Sequence, residues 1–173
     1  ITAPAQNQTT PSGGSDTSWY TWQKDIGATS FSTPYVAGVA ALLIEYADGC
    51  GNPDANNTEV IKAVIVNSAF GNIKDKSGEY TYPNSNTWQV DRGYGRVDGF
   101  KAFQTLQAGA IAADANITQT KGWAFQQELA PAHQDTYKIF AEENTRLKIT
   151  LTWNRRVEWD DKNKGLFGIW TPN

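Results

Sequence analysis

Ser30 is the side chain in this sequence with the strongest setting for chemistry. It lies in Asp25-Ile26-Gly27-Ala28-Thr29-Ser30-Phe31-Ser32-Thr33-Pro34-Tyr35-Val36-Ala37-Gly38-Val39-Ala40-Ala41-Leu42-Leu43, and from Val36 to Ile44 no residue is charged or strongly polar. A helix apolar on every face is a buried one, and this run is far shorter than the roughly 20 apolar residues that span a bilayer. Thr29 and Ser30 are favoured capping residues. Pro34, about one turn later, is expected where a missing N–H does little harm, because first-turn donors have no helical partner. Ser30 is therefore expected at or just before a helix N-terminus. Unpaired N–H groups and the positive end of the helix dipole lie there, which suits a nucleophile whose attack creates an oxyanion. The plainer alternative is that Thr29-Ser30 only caps a core helix.

The stretch Ala28 to Gly38 resembles the nucleophile motif of the subtilisin-like serine proteases (subtilases), which reads Gly-Thr-Ser-(Met/Phe)-(Ala/Ser)-x-Pro-x-Val-(Ala/Ser)-Gly. Thr29, Ser30, Phe31, Ser32, Pro34, Val36, Ala37 and Gly38 fit it position by position, and an apolar run follows. Ala28 departs from it, standing where the family has Gly; if that position needs positive φ or close substrate approach, the methyl carries a cost. Ile1-Thr2-Ala3-Pro4 resembles the (Val/Ile)-x-Ala-Pro-Gly strand end of the same family, with Ala5 where Gly is usual. Gly93-Tyr94-Gly95-Arg96-Val97-Asp98 resembles its Gly-Tyr-Gly-x-Val-(Asp/Asn) ending.

The resemblance implies acyl transfer by Ser30, with a His as general base, an Asp to orient it, and an Asn side chain completing the oxyanion hole beside the serine's own N–H. In subtilases these precede the serine in the order Asp, His, Ser, so they are expected before Ile1. Only Ser30 and its N–H carry over to this chain. His133 is the sole histidine, but Ala130-Pro131-Ala132-His133-Gln134-Asp135 reads as a turn, and an exposed turn histidine is the better account of it.

The remaining elements are those that must hold this serine. Gly49-Cys50-Gly51-Asn52-Pro53-Asp54 is turn chemistry that stops the serine helix. Asn57 or Thr58 then caps a second helix with Glu59 in its first turn, and Val60, Ile61, Val64 and Ile65 share one face, predicting an amphipathic helix on the outside of a sheet. Residues 1 to 23 read as an extended segment and loop, and 71 to 92 as a loop or short hairpin. Asp98 is expected to cap a helix carrying Phe100 and Phe103.

Beyond about Gly109 the period changes. Trp123, Phe125, Gln127 and Leu129 alternate with Ala124, Gln126 and Glu128; Tyr137, Ile139 and Ala141 follow; Leu147, Ile149, Leu151 and Trp153 alternate with Arg146, Lys148, Thr150 and Thr152. This pattern predicts half-buried antiparallel strands, the beginning of a β-sandwich. The expected fold class is thus α/β: residues 1–112 as the C-terminal part of a subtilase-type parallel-sheet catalytic domain, and 113–173 as a truncated β-sandwich.

A net charge of -3 and pI near 5.1 give no reason to expect a polyanionic partner. Arg155-Arg156 is followed by Glu158, Asp160 and Asp161, a mixed solvated surface. The sequence has no methionine and begins at Ile1 without a charged-then-apolar leader, so the chain is expected to be a fragment. Cys50, the only cysteine, leaves no internal disulfide or metal cluster. Calcium, which many subtilases bind, would need oxygen ligands, yet Glu142-Glu143 and Asp160-Asp161 lack a recognisable spacing and read as solvated turns. Trp123, Trp153, Trp159 and Trp170 could form a carbohydrate platform, but Trp153 shares the alternating face of Leu151 and is expected in the core. Sequons at Asn7, Asn56 and Asn116 matter only in a eukaryotic secretory route. No cofactor is evident in the chain itself, while the resemblance leaves calcium possible in the full protein. The resulting expectation is a fragment of a secreted serine endopeptidase acting on polypeptide, with no nucleic-acid or membrane partner. The alternative is a non-catalytic relic whose β module binds a partner or glycan.

Overall fold

The computed structural model describes residues 1–3, 8–15, 18–26, 29–71, 88, 93–117, 119–128, 130–139, 142–145 and 147–154. Where the composition of residues 1 to 23 predicts an extended segment and loop, the backbone forms an antiparallel hairpin of β1 (Gln8–Ser15) and β2 (Ser18–Ile26). Trp19, Tyr20, Thr21 and Trp22 are residues that favour a pleated surface. The pairing slips between Gln8 and Thr10, Pro11 and Ser12, and Gly13 and Ser15, where proline and glycine interrupt a ladder.

The hairpin leads to α1 (Thr29–Gly49), which ends where its turn chemistry predicts. Cys50 N–H bonds back to the Ala47 carbonyl at 3.3 Å and Gly51 adopts φ 79°. A short 3-10 helix (Pro53–Asn56) opens with the Asn52 side chain accepting from Asp54 N–H at 3.0 Å. Then α2 (Thr58–Ser68) follows with Glu59 in its first turn, as expected; Asn57 holds the N-cap position but its side chain donates to the Asp54 carbonyl at 3.0 Å and makes no capping bond to the helix. Asp98 caps α3 (Gly99–Gln107), its Oδ1 accepting from Lys101 N–H at 3.0 Å.

Burial corrects the reading of α1. Only Leu43 and Ala47 of its residues are buried, whereas Leu42 is 68% exposed and Tyr35 and Ile44 are exposed as well. The described elements that pack on α1 are α2, α3 and the 3-10 helix, and they cover one stripe of a helix whose run from Val36 to Ile44 is apolar on all faces. In α2 the predicted face holds: Val60, Ile61, Val64 and Ile65 are all buried. Among the described residues, however, the elements packed against α2 are α3, α1 and the 3-10 helix, and not a sheet.

The core joins Leu43, Ala47, Ala55, Val64, Ala102 and Leu106, with Trp123 among them. Tyr46 and Phe103 close one side edge to face, with centroids 4.9 Å apart. The Trp123 indole N–H donates to the Leu106 carbonyl at 3.0 Å, so its one polar group is satisfied in the helical core.

No β-sandwich is seen among the described residues. The pairing there is parallel, between β3 (Asn116–Ile117) and β4 (Lys138–Ile139), with a further bridge from Ala110 to Trp123. Along 147–154 the predicted alternation persists with its faces exchanged. Leu147, Ile149, Leu151 and Trp153 are exposed, Trp153 at 69%, while Lys148, Thr150 and Thr152 are half-buried. The polar side chains face inward because each finds a hydrogen-bond partner on α2, which removes the cost of burying them. Trp153 is therefore not the core residue its register suggests. The predicted loop at 71 to 92, apart from Gly71 and Trp88, lies outside the described residues. So do Ala28, Pro4-Ala5, Asn7, Arg155-Arg156, Trp159, Asp160-Asp161 and Trp170.

Candidate active site

Ser30 is the second residue of α1 and its side chain is exposed. Its N–H is one of the first-turn donors that have no carbonyl one turn earlier to bond. No acidic residue occupies the first turn of this 21-residue helix, so the partial positive charge of the N-terminus is not neutralised from within. A hydroxyl and an N–H without an intrahelical partner thus share one residue at the positive end of a long helix. That is a donor arrangement suited to a negative charge developing on an oxygen bonded to the hydroxyl's target.

Pro34 sits inside α1 and not in its first turn. Its absent N–H would have bonded the carbonyl four residues back, which is that of Ser30. The Ser30 carbonyl is thereby released from the helical ladder. Nearby, Thr33 Oγ1 donates to the Thr29 carbonyl at 3.1 Å.

Three phrases distant in sequence meet at this turn. Ser32 Oγ donates to the Ala3 carbonyl at 3.1 Å. The preceding residue, Thr2, runs parallel to Arg96: Thr2 N–H reaches the Gly95 carbonyl at 2.7 Å, and Val97 N–H reaches the Thr2 carbonyl at 2.9 Å. Arg96 in turn exchanges both backbone hydrogen bonds with Phe70, at 2.8 and 2.9 Å. Ile1 to Ala3, the Ser30 turn and Gly93 to Asp98 therefore form one assembly. Gly95 is required in it, since φ is 108° and a Cβ there would collide with the Phe70 carbonyl. At Gly99 a Cβ would lie 3.1 Å from Val39 Cγ2, so its absence lets the start of α3 approach α1.

His133 lies in the predicted turn, with its N–H on the Ala130 carbonyl at 3.0 Å. Its exposed ring pairs with Asp135 Oδ1 at 2.8 Å. The structure does not bring it to Ser30, whose hydroxyl has no hydrogen-bond partner among the described residues. Cys50 is exposed and free, its thiol donating to the Ala47 carbonyl at 3.1 Å. Among the described residues no group of three or more His, Cys, Asp or Glu side chains could hold a metal ion. No helix among those residues is long and apolar enough to cross a membrane.

The sequence reading missed two contributors. One is the Ser32 hydroxyl as an anchor to Ala3. The other is Lys148, whose ammonium donates to the Val66 and Ala69 carbonyls, both at 3.1 Å. Burial, and then the nearby Lys101 charge, push the Lys148 pKa down. Neither contact leaves a local signal, because the partners are 29 residues apart in the first case and 82 and 79 in the second.

Residues 1–99 match the family model described as the subtilase family. The matched segment ends at the first residue of α3 and contains all three phrases that meet at Ser30. Comparisons with curated proteins and with solved structures returned no match.

Proposed function

The chain belongs to the subtilase family through residues 1–99, and from that premise we propose that it supplies the nucleophile of a secreted serine endopeptidase. The observation that carries the reading is the position of Ser30: an exposed hydroxyl on the second residue of α1, beside its own unpaired N–H, in the segment the family model matches. The Ser30 oxygen attacks the peptide carbonyl carbon, and a base takes its proton and later delivers it to the leaving amine. The tetrahedral oxyanion is held by the Ser30 N–H and an amide side chain. The base, its orienting carboxylate and that amide come from polypeptide outside these 173 residues. His133 is committed to Asp135 in an exposed turn, which supports that division of labour. Residues 1–112 are the catalytic-domain portion and 113–173 belong to an appended module, for which a β-sandwich remains the proposed completed form.

One feature favours a second reading. Ala28 occupies the family's Gly position, and a hindered site would leave a non-catalytic relative whose β module binds a partner.

A fluorophosphonate probe separates these readings. The 173-residue chain alone is expected to take no label, because a serine hydroxyl without a base keeps an alcohol's low reactivity. The protein carrying its natural upstream sequence is expected to label at Ser30 and to lose the label in Ser30→Ala. Labelling of the short chain would return His133 to the role of base. Absence of label in the longer protein would favour the relic.

A further inference from the structure

We propose that residues 147–154 form a strap that positions the Ser30 turn, with Lys148 and Asn67 as its principal positioning residues; the proposal rests on the reading of Ser30 as nucleophile. The strap lies beyond the segment that the family model matches. It is held to α2 by side chains along its whole length. Asn67 Nδ2 donates to the Lys148 carbonyl at 3.0 Å and to Thr150 Oγ1 at 3.1 Å. Thr152 Oγ1 donates to the Glu59 carbonyl at 2.8 Å, and Asn154 Nδ2 to Glu59 Oε1 at 2.6 Å. The strap thus grips the first turn of α2 through Glu59 and the last turn through Lys148.

The Lys148 end matters most. Its ammonium sits on the Val66 and Ala69 carbonyls at the C-terminal end of α2, where positive charge complements the helix dipole. Ala69 is joined directly to Phe70. Phe70 exchanges backbone hydrogen bonds with Arg96, whose chain neighbours Gly95 and Val97 are in turn hydrogen-bonded to Thr2. Ala3 then receives the Ser32 hydroxyl, two residues from Ser30. Arg96 and Lys101 also stand over the Phe70 ring, at 5.8 and 5.1 Å from its centroid, tying the same junction to α3. An intact strap keeps Ala69 and Phe70 in place, Phe70 keeps Arg96 in register, and that register sets where Ala3 meets Ser32. Nucleophile placement to within a fraction of an ångström is what acylation rate depends on.

The test uses the protein with its natural upstream sequence and compares Lys148→Met, Lys148→Arg and Thr152→Val. Amide hydrogen exchange is read at Phe70, Arg96 and Thr33, and fluorophosphonate labelling is read as both rate and final stoichiometry. Lys148→Met is expected to speed exchange at all three amides and to slow labelling by about tenfold, the loss typical of a hydrogen bond to a charged group, with stoichiometry unchanged. Lys148→Arg, which keeps the charge and donors, is expected to restore most of both. Thr152→Val, a milder change at the far end of the strap, is expected to move both in the same direction and serves if Lys148→Met fails to fold. Faster exchange at Phe70 alone, with Thr33 exchange and labelling rate untouched, would overturn the proposal by confining the strap to α2. If the parent protein takes no label, the nucleophile reading has failed separately. Exchange at Thr33 then still decides the strap: acceleration supports it and no change overturns it.

Discussion

Ser32 Oγ donates a hydrogen bond to the Ala3 carbonyl at 3.1 Å, joining the first helical turn of α1 to the segment at the start of the chain. This bond sets the distance between the turn carrying Ser30 and the paired backbone of Thr2 and Arg96. Ser32→Ala is expected to cost about 1 kcal/mol, the net worth of an ordinary intramolecular hydrogen bond. Denaturant midpoints of the two proteins measure it. In the protein with its upstream sequence, acylation is expected to slow while substrate binding changes less.

Ser30→Ala is expected to remove peptide hydrolysis by the protein with its upstream sequence while shifting stability by less than about 0.5 kcal/mol, as for an exposed group away from special features. Its hydroxyl is exposed and makes no hydrogen bond among the described residues. Turnover at the parental level would remove Ser30 from the role.

Leu42 and Leu43 are chain neighbours with opposite surroundings, 68% and 2% exposed. In the 173-residue chain, Leu43→Ala is expected to cost about 2–5 kcal/mol from lost burial and the cavity left behind, whereas Leu42→Ala should cost less than about 0.5 kcal/mol. Chemical denaturation of the pair checks this contrast. Equal losses would mean that the face bearing Leu42 is covered.

Gly95→Ala is expected to be among the most damaging small substitutions. Positive φ costs a non-glycine residue about 1–3 kcal/mol, and the added Cβ also meets the Phe70 carbonyl. The marker is lost exchange protection at Arg96 and Phe70, whose mutual hydrogen bonds the shift would open.

The pKa of Lys148 is lowered from 10.5 by burial and then by Lys101. Between that lowered value and 10.5 the unfolded chain holds more protons than the folded one, so this group's contribution to stability rises with pH across the window. Lys148→Met should abolish that part of the slope. Stability measured at several pH values below 10.5 in both proteins checks the sign.

Local features are written in residue type and order, because they depend on neighbours along the chain. Ser30 at a helix start, the stop at Gly49 to Asp54, the α2 face of Val60, Ile61, Val64 and Ile65, and the Asp98 cap were all legible from residue type and period. The Ser30 motif and its two companion phrases were legible as a family resemblance. What tertiary structure alone decided is which surfaces meet. Periodicity shows that Leu147, Ile149, Leu151 and Trp153 share a face but not which face turns inward, and hydrogen bonds donated by Asn67 to the strap and by Thr152 to the Glu59 carbonyl drew the polar one toward α2. In the same way, the all-apolar run Val36 to Ile44 cannot announce which stripe finds partners: the packing of α2 and α3 covered Leu43 and left Leu42 in solvent. Contacts such as Ser32 with Ala3 and Lys148 with Ala69 join residues far apart in the chain, and only the folded backbone brings their donors and acceptors within reach.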